Sequence, residues 1–141
     1  MGTTGSLPIG WSLDHIPRQR IEVRVQCSIG LRGSAAPEPD IAWVVRGDYF
    51  GSRPTEKQVL LVIEVADSSL AYDRGEKAGL YAAAGIADYW VVNLIERSIE
   101  VRRHPIDGRY QSVQVLSGDE AASRVVLPDA CLRPSALWPS S

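Results

Sequence analysis

Apolar and polar residues alternate from Ile21 to Gln26, with Ile21, Val23 and Val25 set against Glu22, Arg24 and Gln26. That two-residue period predicts a half-buried strand. "DIAWVV" (40–45) is a short apolar strand that begins at Asp40, after a loop in which Pro37 and Pro39 block a hydrogen-bonded ladder. "VLLVIEVA" (59–66) is apolar on both sides, with Val59, Leu61, Ile63 and Val65 on one face and Leu60, Val62 and Ala66 on the other. Two apolar faces predict a central strand with a layer on each side.

A helix is expected over 69–84. Ser68 or Ser69 can cap its start, and Gly85 suits the left-handed residue past its end. "DYWVVN" (88–93) follows as a strand. "RSIEVRRH" (97–104) alternates Ile99 and Val101 with charge, a strand with one wet face, and the short link Leu94–Glu96 makes the two a hairpin. "YQSVQVL" and "SRVVL" are weaker strands. The fold class is α/β (α+β), a mixed central sheet with a flanking helix. Residues 1–20 read as an irregular segment, 21–132 as one domain and 133–141 as a tail.

Glu64 breaks the pattern. It sits on the face of Leu60 and Val62, and an ionised carboxylate there costs several kcal/mol unless it is paired or bound to a metal. Asp40 stands at the head of another apolar strand. If the strands are neighbours, the two acids project together and tolerate each other best around a divalent cation. Lys77 is the third element. On a helical wheel it shares a stripe with Leu70, Tyr81 and Ala84. Two readings stay open: an Asp73–Lys77 pair on a wet surface, or a lysine aimed at the carboxylates. An Asp, a Glu and a Lys around Mg²⁺ or Mn²⁺ form a hydrolytic set suited to phosphodiesters.

Composition adds limits. The chain has 141 residues and a net charge of −2, enough for one domain and less basic than a strong non-specific DNA binder. The arginine groups Arg18, Arg20, Arg24 and Arg97, Arg102, Arg103 read as solvated faces. Cys27 and Cys131 lie far apart, no secretory signal is evident and no run is long enough to span a membrane, so a reduced, cytoplasmic protein is expected. Trp90 and Tyr89 read as core rather than as base-stacking platforms.

The strings "PEPDIAWVV", "LLVIEVADSSLAYDRGEKAGLYAAAGIADYWVVN" and "RSIEVRRHP" resemble the Uma-two family of restriction endonucleases, within the PD-(D/E)xK nuclease superfamily. The likeness runs from about residue 21 to 105. Its specific part is E-V-x-x-x-S, then D-x-x-x-K-x-x-x-Y, then G-I-x-x-Y-W-V-V. The resemblance implies a restriction-endonuclease-like fold and a Mg²⁺- or Mn²⁺-dependent DNA endonuclease. It puts the metal on Asp40, Glu64 and the Val65 carbonyl, and catalysis on Asp40, Glu64 and Lys77. Ser69, Asp73 and Tyr81 would flank the site. The superfamily's simplest motif places its lysine at the position of Ala66; here it falls on the helix. The family also implies an N-terminal helix, often with a further acid, and no such pattern precedes Ile21, so a shortened N-terminus is expected. Cutting two strands is easier for a pair of copies, which makes a homodimer the assembly to look for. Two other classes compete: a catalytically inactive nuclease-fold module that binds nucleic acid or protein, and an unrelated domain in which Glu64 pairs with an arginine.

Overall fold

The computed structural model describes residues 19–31, 37–49, 51–66, 73–118, 122–123 and 131–132, with backbone alone at 73–74, 122–123 and 131–132. Six strands form one sheet in chain order: β1 (Ile21–Val25), β2 (Ile41–Val45), β3 (Val59–Ala66), β4 (Asp88–Asn93), β5 (Ser98–Ile106) and β6 (Arg109–Ser117). Every neighbouring pair is antiparallel except β3 and β4, which run parallel. Parallel neighbours need a long crossover. This one carries a π-helical turn, Asp73–Lys77, that runs into α1 (Ala78–Ala83). A small ribbon, β7 (Ala122–Ser123) with β8 (Cys131–Leu132), pairs separately. The result is the expected mixed sheet with a flanking helix. Among the described residues no helix is long and apolar enough to cross a membrane.

The sheet is buried on both faces. One face gathers Trp43, Leu61, Ile63, Trp90, Val92 and Ile99. The other gathers Ala42, Val62, Ala66, Tyr89 and Val91 beneath Ala78, Tyr81 and Ala82 of α1. Each large side chain fully withdrawn from water contributes about 1.5–3 kcal/mol, so β3 and β4, with neighbours above and below, anchor the domain. Tyr89 and Trp90 are fully enclosed, as core residues should be.

Three expectations change. Val59 lies on the helix side with Val62, not with Leu61 and Ile63. The β2–β3 register slips there, Trp43 facing Leu61 and Val44 facing Val59, so Leu60 is an extra residue that inverts the alternation. The wet face assigned to residues 97–104 is dry at its start, with Ser98, Ile99, Glu100 and Val101 all buried. Alternation was right; the helix face simply extends over β5. Third, Arg102 and Arg103 are not a solvated face. Arg102 pairs with buried Glu100 at 3.2 Å, and Arg103 pairs with buried Asp88 at 2.6 Å.

The helix end follows the sequence. Gly85 takes φ +82°, and Ile86 N–H donates to the Tyr81 carbonyl at 3.0 Å, closing the last turn. The predicted start at 69, with its serine cap, lies outside the described residues. The β4–β5 hairpin is present as expected. Asn93 organises its turn, its Oδ1 accepting from the N–H groups of Ile95 and Glu96. At the far end His104 adopts φ +59°, and the two-residue Asp107–Gly108 turn has both φ values positive, the geometry that matches strand twist. The hairpin bends there toward α1, so that Tyr110 donates to the Ile86 carbonyl at 2.8 Å and stacks on Tyr89.

Candidate active site

The antiparallel register of β2 on β3 sets Ile41 opposite Ile63. Asp40 therefore arrives beside Glu64 and Val65. Asp40 N–H donates to Glu64 Oε1 at 2.9 Å, and Val65 N–H donates to Asp40 Oδ2 at 2.7 Å. Each acid is held by a backbone amide next to the other. The parallel pairing sets Glu64 opposite Val91, on the face that the crossover helix covers.

Two side chains descend from the helix onto the same oxygen. Lys77 Nζ donates to Glu64 Oε2 at 2.9 Å, and Tyr81 Oη donates to it at 3.1 Å. They are four residues apart, one above the other on a helix face. Lys77 is partly exposed at 24%; Tyr81 is fully buried and packs against Tyr89, the rings tilted at 48° with centroids 5.0 Å apart. The lysine aimed at the carboxylate is observed; the side chain of Asp73, its partner in the other reading, lies outside the described residues.

Glu64 is 2% exposed. Burial pushes its carboxyl above the ordinary carboxylate range, and nearby Asp40 adds to this. The Lys77 ammonium and the Asp40 N–H pull the other way. Removing a carboxylate from water costs several kcal/mol. One ammonium, one phenol and one amide offset that loss by direct charge-assisted bonds. The cluster is thus a buried carboxyl group with a partly exposed cation at its solvent side.

The structure brings Asp40, Glu64, Lys77 and Tyr81 together. Val65 contributes its N–H to the cluster. Ser69 lies outside the described residues, and so does the side chain of Asp73. Among the described residues no arginine partners Glu64. Missed by sequence reasoning were Glu100 and Asp88, two more buried acids on neighbouring strands. Asp88 meets Arg103 across the β4–β5 register, whereas Glu100 meets Arg102 two residues along the same strand. An alternation pattern cannot show which face a helix will cover.

Among the described residues no group of three or more His, Cys, Asp or Glu side chains is placed to hold a metal ion. The two-carboxylate set still fits Mg²⁺, which prefers hard oxygens and commonly takes one or two carboxylates, the rest being water and substrate phosphate. Among the described residues Glu64 Oε1 accepts a single hydrogen bond, which leaves it a lone pair. Asp40 Oδ1 accepts none among the described residues.

The chain is similar in structure to a protein from Anabaena variabilis described as a putative nuclease belonging to DUF820, with a TM-score of 0.71 at 14% identity, over 95% of this chain and 77% of that one. At that identity the likeness establishes the fold. No curated protein matches the sequence. The family model described as "Putative restriction endonuclease", Uma2, matches residues 9–135. That span is nearly the whole chain and includes every residue of the cluster, and the chain therefore belongs to the Uma2 family.

Proposed function

We propose that this protein is a Mg²⁺- or Mn²⁺-dependent DNA endonuclease that hydrolyses phosphodiester bonds at the Asp40–Glu64–Lys77 cluster. The observation that supports this most directly is the meeting of Lys77 Nζ and Tyr81 Oη on one oxygen of a buried glutamate that is clasped to Asp40. A purely structural ion pair needs no second carboxylate held beside it.

In this reading Asp40, Glu64 and the Val65 carbonyl hold the cation. When bound, a divalent ion lowers the pKa of a coordinated water and stabilises charge on a phosphoryl oxygen. The remaining work belongs to the side chains. The backbone clasp fixes both carboxylates before substrate arrives, so little reorganisation is left to the reaction. Lys77, partly exposed, carries the positive charge that faces an incoming phosphate and orients the attacking water. Tyr81 fixes the Glu64 rotamer from the dry side. Ser69 and Asp73 would flank the substrate.

The test is nicking of supercoiled plasmid with Mg²⁺ or Mn²⁺, using wild type, Glu64→Ala and Lys77→Ala from parallel preparations. Nicking by wild type that both variants lose is the expected result. Equal nicking by all three overturns the site. No nicking, with no shift of melting temperature on adding metal, identifies a non-catalytic binding module.

A further inference from the structure

The two edges of the sheet are guarded differently. β1 is five residues long and carries Glu22 and Arg24, paired at 3.3 Å. Alternating charge of this kind discourages strand addition. β6 is nine residues long and has β5 as its partner in the sheet. From Ser112 to Ser117 it runs in constant register with β5, Ser112 facing Arg103 and Ser117 facing Ser98. Between Tyr110 and Ser117 it has no charged residue and no proline. Val113 and Val115 share one face of it and are 47% and 55% exposed. Gln111 and Gln114 are exposed as well. A long, regular, uncharged edge with two exposed β-branched residues is a template for another strand.

The sequence of the edge says which strand. Antiparallel pairing with its own copy about Gln114 sets Val113 opposite Val115 of the second copy, and Val115 opposite Val113. Ser112 then faces Leu116. No like charges oppose, and Arg109 falls beyond the paired segment. Centring one residue earlier would set Val115 against Gln111 and leave a single valine pair, Val113 against itself. Cross-strand β-branched pairs are favourable, and a two-fold axis makes the patch self-complementary.

We propose that β6 is a homodimer edge, joining the six-stranded sheets of two copies through antiparallel β6 pairing centred on Gln114. The occupant is a second copy of this chain, because antiparallel self-pairing matches the exposed valines and opposes no charges. Strand pairing alone buries less than the roughly 1,200 Å² of a tight interface, so association is reversible and depends on concentration. The inference does not rest on the nuclease reading.

The test is sedimentation velocity on the full chain over a dilution series, with Val113→Lys and Val115→Lys beside wild type and circular dichroism as the control for folding. Both positions are exposed, so the variants fold. Wild type should show a reversible monomer–dimer equilibrium that each lysine weakens by at least about tenfold. A monomer at every concentration overturns the proposal, and so does a dimer that both variants retain. A cross-link fixes the register. Gln114→Cys lies opposite itself at a Cα separation of about 4.5–5.5 Å, within disulfide reach. Mild oxidation should give a covalent dimer well above the wild-type background, whereas Gln111→Cys should not. The opposite pattern rejects the stated centre.

Discussion

Asp40 and Glu64 grip one another through backbone amides: Asp40 N–H meets Glu64 Oε1 at 2.9 Å, and Asp40 Oδ2 meets the N–H of Val65 at 2.7 Å. Two acids that would repel as bare side chains are thereby fixed side by side. The β2–β3 pairing enforces the spacing, and the helix supplies the charge that makes it tolerable.

Asp40 is the residue through which metal and fold can be separated. Asp40→Asn keeps an oxygen for the Val65 N–H but loses a negative charge. Wild type should gain melting temperature with Mg²⁺ or Mn²⁺, as any ligand of the native state must produce. The variant should fold and lose most of that gain. Thermal scans with and without metal check this.

Lys77 and Glu64 should prove strongly coupled. Lys77→Met leaves a buried carboxylate without its cation. Full burial of such a pair would make the loss about 3–5 kcal/mol, and the partial exposure of Lys77 reduces this to about 1–3 kcal/mol. Pairing Lys77→Met with Glu64→Gln should recover much of it. A double-mutant cycle by urea denaturation measures the coupling; additive losses would contradict the geometry.

Tyr81→Phe removes one hydrogen bond from Glu64 Oε2 and keeps the ring against Tyr89. The expected loss is about 1 kcal/mol of stability. Nicking should fall less than for Lys77→Ala, because Tyr81 orients the carboxylate from the enclosed side. Parallel kinetic and denaturation series on Tyr81→Phe decide it.

Alkaline pH should loosen the hairpin that folds over α1. Burial, aided by the Asp88 carboxylate and opposed by Arg102, pushes the Tyr110 phenol well above its ordinary value. A raised folded pKa means that the stability contributed by the neutral phenol is complete below the unfolded value, about 10. It declines as pH rises beyond that, because the unfolded chain ionises first. Tyr110→Phe should lower stability at neutral pH by about 1–3 kcal/mol, leaving the Ile86 carbonyl without its donor. It should also flatten the alkaline decline. Denaturation midpoints from neutral pH to beyond the tyrosine range test both parts.

Much of this site was legible in the chain because burial and charge conflict at a single position. Glu64 stood in a two-faced apolar strand, so a partner was required, and the 3.6-residue period put Lys77 and Tyr81 on one stripe. The clasp was not legible. It depends on the register of β2 against β3, which a slip at Leu60 adjusts and no short pattern encodes. Glu100 read as a solvent-facing residue because alternation fixes which residues share a face, but not what lies over it. Arg102 and Arg103 were misread for the same reason, their carboxylate partners being hidden by that choice.

The crossover between β3 and β4 also sets when the cluster can exist. Asp40 lies 24 residues before Glu64, and Lys77 lies 13 after it. Contacts of that span form only after loop closure has been accomplished and the sheet has docked. A chain still emerging, or one locally opened at α1, carries the right residues with none of their arrangement. Whatever reactivity the cluster possesses is therefore absent from the nascent polypeptide and arrives in a single cooperative step, together with the native state.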